Sequence, residues 1–207
     1  MPTAAELVDL AALADWTAGL PALAGEGDLQ VRVLGEGHSN LTFEVARGER
    51  SWVLRRPPAG PLLPTAHDVV REYRVLSLLG AAQPPLRVPR VIGLCQDPAV
   101  IGAPFYVMEQ VAGVVIRHPM PAALASDLAA QHTLGLDLVD ALAEIHRADF
   151  TPFVDAGIGR PGGYLARQLK RWTGQREGIQ HAVATAGGRA RDLPDYDAVR
   201  DLSLIHI

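Results

Sequence analysis

The sequence predicts an α+β protein in which a small antiparallel sheet is followed by helices. Three observations support this fold class. Alternating apolar and polar residues occupy the stretches 29–35, 40–47 and 51–56. One helical stretch and two short strands follow before residue 111, and from about residue 120 apolar residues recur at helical spacing. We therefore predict two unlike lobes, over residues 29–111 and 112–201.

The elements can be assigned in order along the chain. Residues 1–28 are predicted to form an amphipathic helix over 4–18 and a linker, and Arg47–Arg50 a hairpin connection between two strands. A helix follows over 65–79, with Thr65 as its N-cap and Gly80 as its C-cap. Strands over 90–95 and 103–111 bring the sheet to about five strands, with one helix packed on it. Further helices are expected over 124–147 and 161–175.

Composition excludes several classes of function. A chain of 207 residues, 48% hydrophobic and 20% charged, is ordinary for a soluble globular protein with a real core. With a net charge of −4, the sequence shows no excess of basic residues that would indicate binding to nucleic acid or to an anionic membrane. No apolar run reaches the roughly 18–20 residues that span a bilayer. The single Cys95, expected to be buried, and the lack of a basic leader predict a cytoplasmic protein.

The stretch Leu34–Val45, LGEGHSNLTFEV, places two glycines between two strands. Glycine permits both tight turns and close backbone approach, so the stretch alone fits either a hairpin turn or a phosphate-binding loop. The order of the following elements favours the loop, because the third strand carries Arg55 and the next helix carries Glu72. A glycine loop over phosphates, a cation from a strand and a helix acid that orients it form a nucleotide clamp.

The candidate site residues follow from this arrangement. The loop contributes glycines for close approach and polar side chains for phosphate oxygens, while Arg55 is the cation and Glu72 its partner. The loop members are Gly35, Gly37, His38, Ser39 and Asn40. Arginine stays charged and can hold phosphate bidentately, although its planar head is wider than that of lysine.

Structural alternatives exist for both charged residues. Arg55 and the adjacent Arg56 could be solvent-facing strand residues, although alternation places them on opposite faces. Glu72 could be a surface residue of its helix, paired locally with Arg71 or Arg74.

Six stretches occur in order from about residue 29 to 173: GEGHSNLTFEV, SWVLRRPP, HDVVREYRVLSLL, VIGAPFYVMEQVAG, ALAEIHRAD and RPGGYLARQLKRW. As a set they resemble the aminoglycoside-phosphotransferase-like enzymes of the protein-kinase-like fold, and most closely the phosphotransferase domains associated with acyl-CoA dehydrogenases. The resemblance implies transfer of the γ-phosphate of ATP, or another NTP, to a hydroxyl of a small molecule, with Mg²⁺ in the full-length protein. It also implies that the backbones of Glu109 and Val111 bind the base.

The family's catalytic loop, H-G-D-x-x-x-x-N, does not occur in the 207 residues, and Asp192–Tyr196 lacks the following asparagine. We therefore assign no catalytic or metal-binding residue. We expect a phosphotransferase truncated before that loop, inactive alone, with an incomplete helical second lobe and a non-native tail at 202–207. The alternative is a complete, non-catalytic nucleotide-binding or interaction module. Hydroxyacyl thioesters, aminoglycosides, macrolides and choline-like alcohols all remain open as acceptors.

Overall fold

The computed structural model describes residues 7–35, 40–60, 67–116, 120–189 and 195–205. The chain divides into two compact units, Met1–Pro152 and Phe153–Ile207. The first unit contains the whole sheet, and the second contains the last two helices. The predicted α+β class is confirmed, while the boundaries proposed for the lobes and the tail stay predictions.

The sheet has five strands: β1 (Leu29–Val33), β2 (Leu41–Arg47), β3 (Arg50–Arg56), β4 (Val91–Cys95) and β5 (Phe105–Glu109). Their order is β1-β2-β3-β5-β4, and every pairing is antiparallel, as predicted. Arg47 pairs with Arg50, so a two-residue turn joins β2 to β3. Gly48 in this turn has φ of 59°, a left-handed conformation that glycine adopts at little cost.

The helices are α1 (Leu10–Ala18), α2 (Val69–Gly80), α3 (Pro98–Ile101), α4 (Ala122–Ala125), α5 (Leu128–Arg147), α6 (Thr151–Asp155), α7 (Tyr164–Thr185) and α8 (Asp195–Ile205). A 3₁₀ turn, Pro21–Leu23, follows α1. Among the described residues, none of these helices combines the length and the apolar character that a membrane span requires.

The helix predicted over 4–18 is interrupted, because Leu7 is helical while Val8 and Asp9 are not, and α2 begins later than predicted. α1 starts at Leu10 because the Asp9 carboxylate accepts hydrogen bonds from the backbone N–H groups of Ala11 and Ala12, at 3.0 and 3.1 Å. Residues 4–6 of the predicted helix lie outside the described residues, as does Thr65. The N-cap of α2 is Asp68, whose Oδ1 accepts from the N–H of Arg71 at 2.9 Å.

The end of α2 and the extents of two other predicted helices also differ from the prediction. Gly80 is the last residue of α2, and Ala81 is its C-cap. The helix expected over 124–147 is split into α4 and α5, because the Asp127 carboxylate accepts from the N–H of Ala130 at 2.9 Å and starts a new helix. The helix expected over 161–175 extends from Tyr164 to Thr185.

One face of the sheet, here called the core face, carries the main hydrophobic core. Its fully buried side chains include Phe43, Leu54, Phe105 and Val107. α1 covers this face through Leu13, and the Trp16 ring meets the Phe105 ring edge-on at 4.7 Å. Gly93 in β4 makes room for α1, because an added Cβ would lie 3.1 Å from the Trp16 ring. Cys95 is buried in the same core, as predicted.

The opposite face, here called the α2 face, carries Thr42, Arg55 and Tyr106 side by side, since they are paired across β2, β3 and β5. α2 packs against β4 and β5. Its Tyr73 ring lies edge-on to the Tyr106 ring, with centroids 6.1 Å apart. The α2 face therefore brings residues of three strands and one helix to one place.

Candidate nucleotide site

The predicted pair between β3 and α2 is present. The Nε of Arg55 lies 3.2 Å from Oε2 of Glu72, and the two side chains are 29% and 36% exposed. Nε makes no hydrogen bond of good geometry, so the contact is an ion pair that depends on charge more than on direction. Glu72 lies in the first turn of α2, where the helix dipole favours a negative charge.

Glu72 has two further partners. Nδ2 of Asn40 donates to Oε1 at 2.6 Å, and the hydroxyl of Tyr106 donates to Oε2 at 3.1 Å. The carboxylate is therefore turned to the sheet, and the reading of Glu72 as only a surface residue is wrong. The sequence reasoning missed Tyr106, although its place opposite Arg55 follows once the β3–β5 register is known.

Arg56 has a different environment from its neighbour. It is 5% exposed, on the core face, and donates from Nη1 to the carbonyl of Ile101 at 2.9 Å and from Nε to the carbonyl of Pro57 at 3.2 Å. Nη1 also donates to the carbonyl of Leu7. Burial lowers the pKa of the guanidinium. The alternative that both arginines face solvent is therefore wrong, and Arg55 alone faces α2.

Tyr106 and Asn40 are almost fully buried, at 1% and 3% exposure. Burial and the Glu72 carboxylate together raise the pKa of the Tyr106 hydroxyl, which keeps its proton for donation. Because a carboxylate only accepts, the amide nitrogen of Asn40 must face Glu72. Its Oδ1 is buried without a hydrogen-bond partner among the described residues. A direct contact of Asn40 with phosphate stays a prediction, since this structure gives its donor to Glu72.

The glycine loop is described only at its two ends. Gly35 has φ of 82°, which is left-handed, and the N–H of Leu34 donates to the carbonyl of Thr42 at 2.8 Å. Gly37, His38 and Ser39 lie outside the described residues, so their assignment stays a prediction.

The backbone expected to bind the base follows β5. The N–H of Glu109 donates to the carbonyl of Arg90 at 2.9 Å, so this N–H is already engaged within the sheet. Val111, also assigned to the base, is 65% exposed. Both assignments stay predictions.

A second ion pair on the α2 face was not predicted. Glu44 pairs with Val53 in the β2–β3 register and is 8% exposed. Nη2 of Arg32 donates to its Oε1 at 2.9 Å. The Arg32 guanidinium therefore holds the pKa of the Glu44 carboxyl below its usual value, and a hydrogen bond with Gln110 acts in the same direction.

The described ranges contain no group of three or more His, Cys, Asp or Glu side chains that could hold a metal ion.

An antiparallel sheet with one helix over the face that carries a strand cation and its carboxylate defines a kinase-like fold. The chain belongs to the phosphotransferase enzyme family, whose model matches residues 30–206. A crystal structure from Ralstonia eutropha that is assigned to the aminoglycoside phosphotransferases is 28% identical to this chain. It superimposes with a TM-score of 0.63, over 93% of this chain and 52% of that one.

The similar curated proteins are acyl-CoA dehydrogenase family members. Member 11 of Gallus gallus is 39% identical over 185 residues, which are 87% of this chain and 23% of that protein. Member 10 of Mus musculus is 34% identical over 165 residues, which are 79% of this chain and 15% of that protein. The chain thus spans less than a quarter of the length of these two relatives. The predicted resemblance to both groups is confirmed.

Proposed function

We propose that this chain is the nucleotide-binding part of an ATP-dependent phosphotransferase that transfers the γ-phosphate to a hydroxyl of a small molecule. The observation that carries the proposal is the Arg55–Glu72 ion pair on the α2 face. Membership of the phosphotransferase family supports the reaction class. Phosphoryl transfer depends mainly on positioning and charge, and a held cation supplies both for the nucleotide phosphates.

Each residue has a role in this proposal. Arg55 contacts Glu72 through Nε, so its two Nη groups remain as donors for phosphate oxygens. Glu72 holds the guanidinium beside α2 by its charge, and the glycine loop from Gly35 to Asn40 would cover the phosphates. Because the 207 residues contain no H-G-D-x-x-x-x-N loop, we propose that the Mg²⁺ expected for the full-length protein has its ligands outside these residues.

The acceptor that we propose is a small-molecule hydroxyl. Among the acceptors open from the sequence, the names of the relatives favour a hydroxyacyl thioester, because an acyl-CoA dehydrogenase acts on acyl thioesters.

A second proposal is a non-catalytic nucleotide-binding module. It is favoured by one observation, that the 207 residues contain no H-G-D-x-x-x-x-N motif. Both proposals predict nucleotide binding by this chain without phosphate transfer. They differ in what happens when the chain is part of a longer protein that carries the motif, which should transfer phosphate only under the first.

The test is titration of the purified chain with ATP, followed by calorimetry or ligand-observed NMR. Arg55→Gln should weaken ATP binding by about tenfold, the value of a charge-assisted contact of about 1.4 kcal/mol. Arg87→Gln is the matched control. Nε of Arg87 also pairs with a carboxylate oxygen, Oε2 of Glu144, at 3.0 Å, but Glu144 belongs to α5 and not to α2. Unchanged ATP affinity in Arg55→Gln, or no nucleotide binding by the wild type, would overturn the assignment. Phosphate transfer by this chain alone would contradict the predicted inactivity.

A further inference from the structure

We infer that Tyr106 and Asn40 are positioning residues, which hold Glu72 and through it Arg55 in the orientation that receives the nucleotide's polyphosphate. The inference rests on the proposed function, because it assigns residues that act on the same Arg55–Glu72 pair.

The first support is the arrangement of donors on one carboxylate. Tyr106 and Arg55 approach Oε2, at 3.1 and 3.2 Å, and Asn40 donates to Oε1 at 2.6 Å. A glutamate on a helix has three rotatable bonds, and fixing them costs entropy. With both oxygens held by uncharged donors, Glu72 keeps one rotamer whether or not Arg55 is engaged with a ligand.

The second support is the rigidity of Tyr106. Its ring is fully buried in β5 and meets the Tyr73 ring of α2, and it pairs directly with Arg55 in the register of the sheet. The hydroxyl and the guanidinium therefore reach the same carboxylate oxygen from neighbouring strands. The raised pKa of the hydroxyl keeps it a donor at all ordinary pH values.

The third support is the position of Asn40, which is the last residue of the glycine loop and directly precedes β2. Its hydrogen bond to Glu72 joins the end of that loop to the first turn of α2. Because Asn40 is 3% exposed, water competes little for this bond. The loop, the helix acid and the strand cation are thus connected through one carboxylate.

The burial of Tyr106 and Asn40 distinguishes a positioning role from direct contact with a nucleotide. At 1% and 3% exposure, Tyr106 and Asn40 have almost no surface to offer a nucleotide. Any effect of theirs on binding must pass through Glu72 and Arg55, and it should be confined to ligands that carry phosphates.

The experiment compares ATP and adenosine binding to the purified chain and its variants. Tyr106→Phe removes the hydroxyl and keeps the ring, and should weaken ATP binding about three- to tenfold, as expected for one hydrogen bond. Adenosine binding should change less than about twofold. Tyr73→Phe is the matched control, because Tyr73 belongs to the same ring pair but does not donate to Glu72. It should leave both affinities unchanged.

A double-mutant cycle separates positioning from a general structural effect. In a Glu72→Gln background, Tyr106→Phe should cause less than half of the loss that it causes in the wild type. Asn40→Asp is a second variant of equal size, which sets a carboxylate against Glu72 and should weaken ATP binding at least as much as Tyr106→Phe. Far-UV circular dichroism and the unfolding midpoint establish that each variant is folded.

The outcomes are distinguishable. Equal losses for ATP and adenosine, a full Tyr106→Phe effect in the Glu72→Gln background, or unchanged ATP affinity in both Tyr106→Phe and Asn40→Asp would overturn the inference. Any of these would leave the proposed nucleotide binding intact. A wild-type chain that binds ATP no better than adenosine would instead overturn the proposed role of Arg55, and this inference with it.

Discussion

Replacement of Arg56 by methionine should destabilise the protein without weakening nucleotide binding. Arg56 is 5% exposed on the core face, and its guanidinium donates to the backbone carbonyls of Leu7, Pro57 and Ile101. The carbonyls of Leu7 and Ile101 belong to two segments distant in sequence, which the side chain connects to β3, while Pro57 directly follows Arg56. In the described part of the chain, Arg56 has no carboxylate at ion-pair distance, so its removal leaves no unpaired charge behind.

Lost hydrogen bonds and recovered desolvation have opposite effects on the free energy of unfolding of Arg56→Met. Hydrogen bonds from a charged donor contribute about 1.5–3 kcal/mol each, and three carbonyls lose theirs. Removing the charge recovers its desolvation cost, which is several kcal/mol for a buried ion. The lowered pKa of Arg56 shows that this cost is present. We expect a net loss of about 2–4 kcal/mol in the free energy of unfolding, or a lower midpoint by about 4–16 °C.

The assay is urea unfolding of Arg56→Met beside Arg55→Met, with ATP affinity measured on the folded fraction of each. The partly exposed Arg55–Glu72 pair contributes only about 0–1 kcal/mol to stability, so Arg55→Met should lose affinity and keep stability. Arg56→Met should do the reverse. An Arg56→Met variant as stable as the wild type would refute the reasoning, since the desolvation cost would then equal or exceed the hydrogen bonds.

Three further predictions concern the sheet and its helices. Gly93→Ala should cost about 1–3 kcal/mol in urea unfolding because its Cβ overlaps α1, whereas Gly135→Ala, with open space around its Cβ in α5, should gain about 0.5–1 kcal/mol. Leu13→Ala, fully buried under the core face, should cost about 2–5 kcal/mol by the same measurement. Arg32 lowers the pKa of Glu44 in the folded protein. The stability that the Arg32–Glu44 ion pair provides is therefore fully present above the ordinary carboxyl pKa, and it is lost as the pH falls through the lowered pKa of the folded protein. Glu44→Gln should therefore be less stable than the wild type near neutral pH, and the difference should vanish in acid unfolding series.

Local chemistry predicted the sheet well and the helix ends less well. Alternation predicted the first three strands, and the two short strands that follow them were also predicted. The hairpin at Gly48 follows from a glycine between two alternating runs. Helix starts depend on which of several capping residues accepts the first N–H groups. Asp9, Asp68 and Asp127 each do so, and each starts its helix at a residue that periodicity alone did not identify.

The sequence predicted one contact of the candidate site and missed two others. The Arg55–Glu72 pair followed from the order of a strand cation and a helix acid. The two other partners of Glu72 depend on contacts between residues far apart in sequence, at separations of 32 for Asn40 and 34 for Tyr106. Only the strand register and the placement of α2 bring them together, and neither can be read from spacing.

The register of β3 decides which of two identical side chains serves the α2 face. Trp52, Val53 and Leu54 are all apolar, and Arg55 is followed by Arg56, so the strand itself distinguishes weakly between its register and one shifted by a single residue. The turn at Gly48 supplies the missing information, because its two-residue length fixes the register of β3 against β2. A one-residue insertion in that hairpin would exchange the two arginines. The length of the turn therefore decides which of the two arginines faces α2.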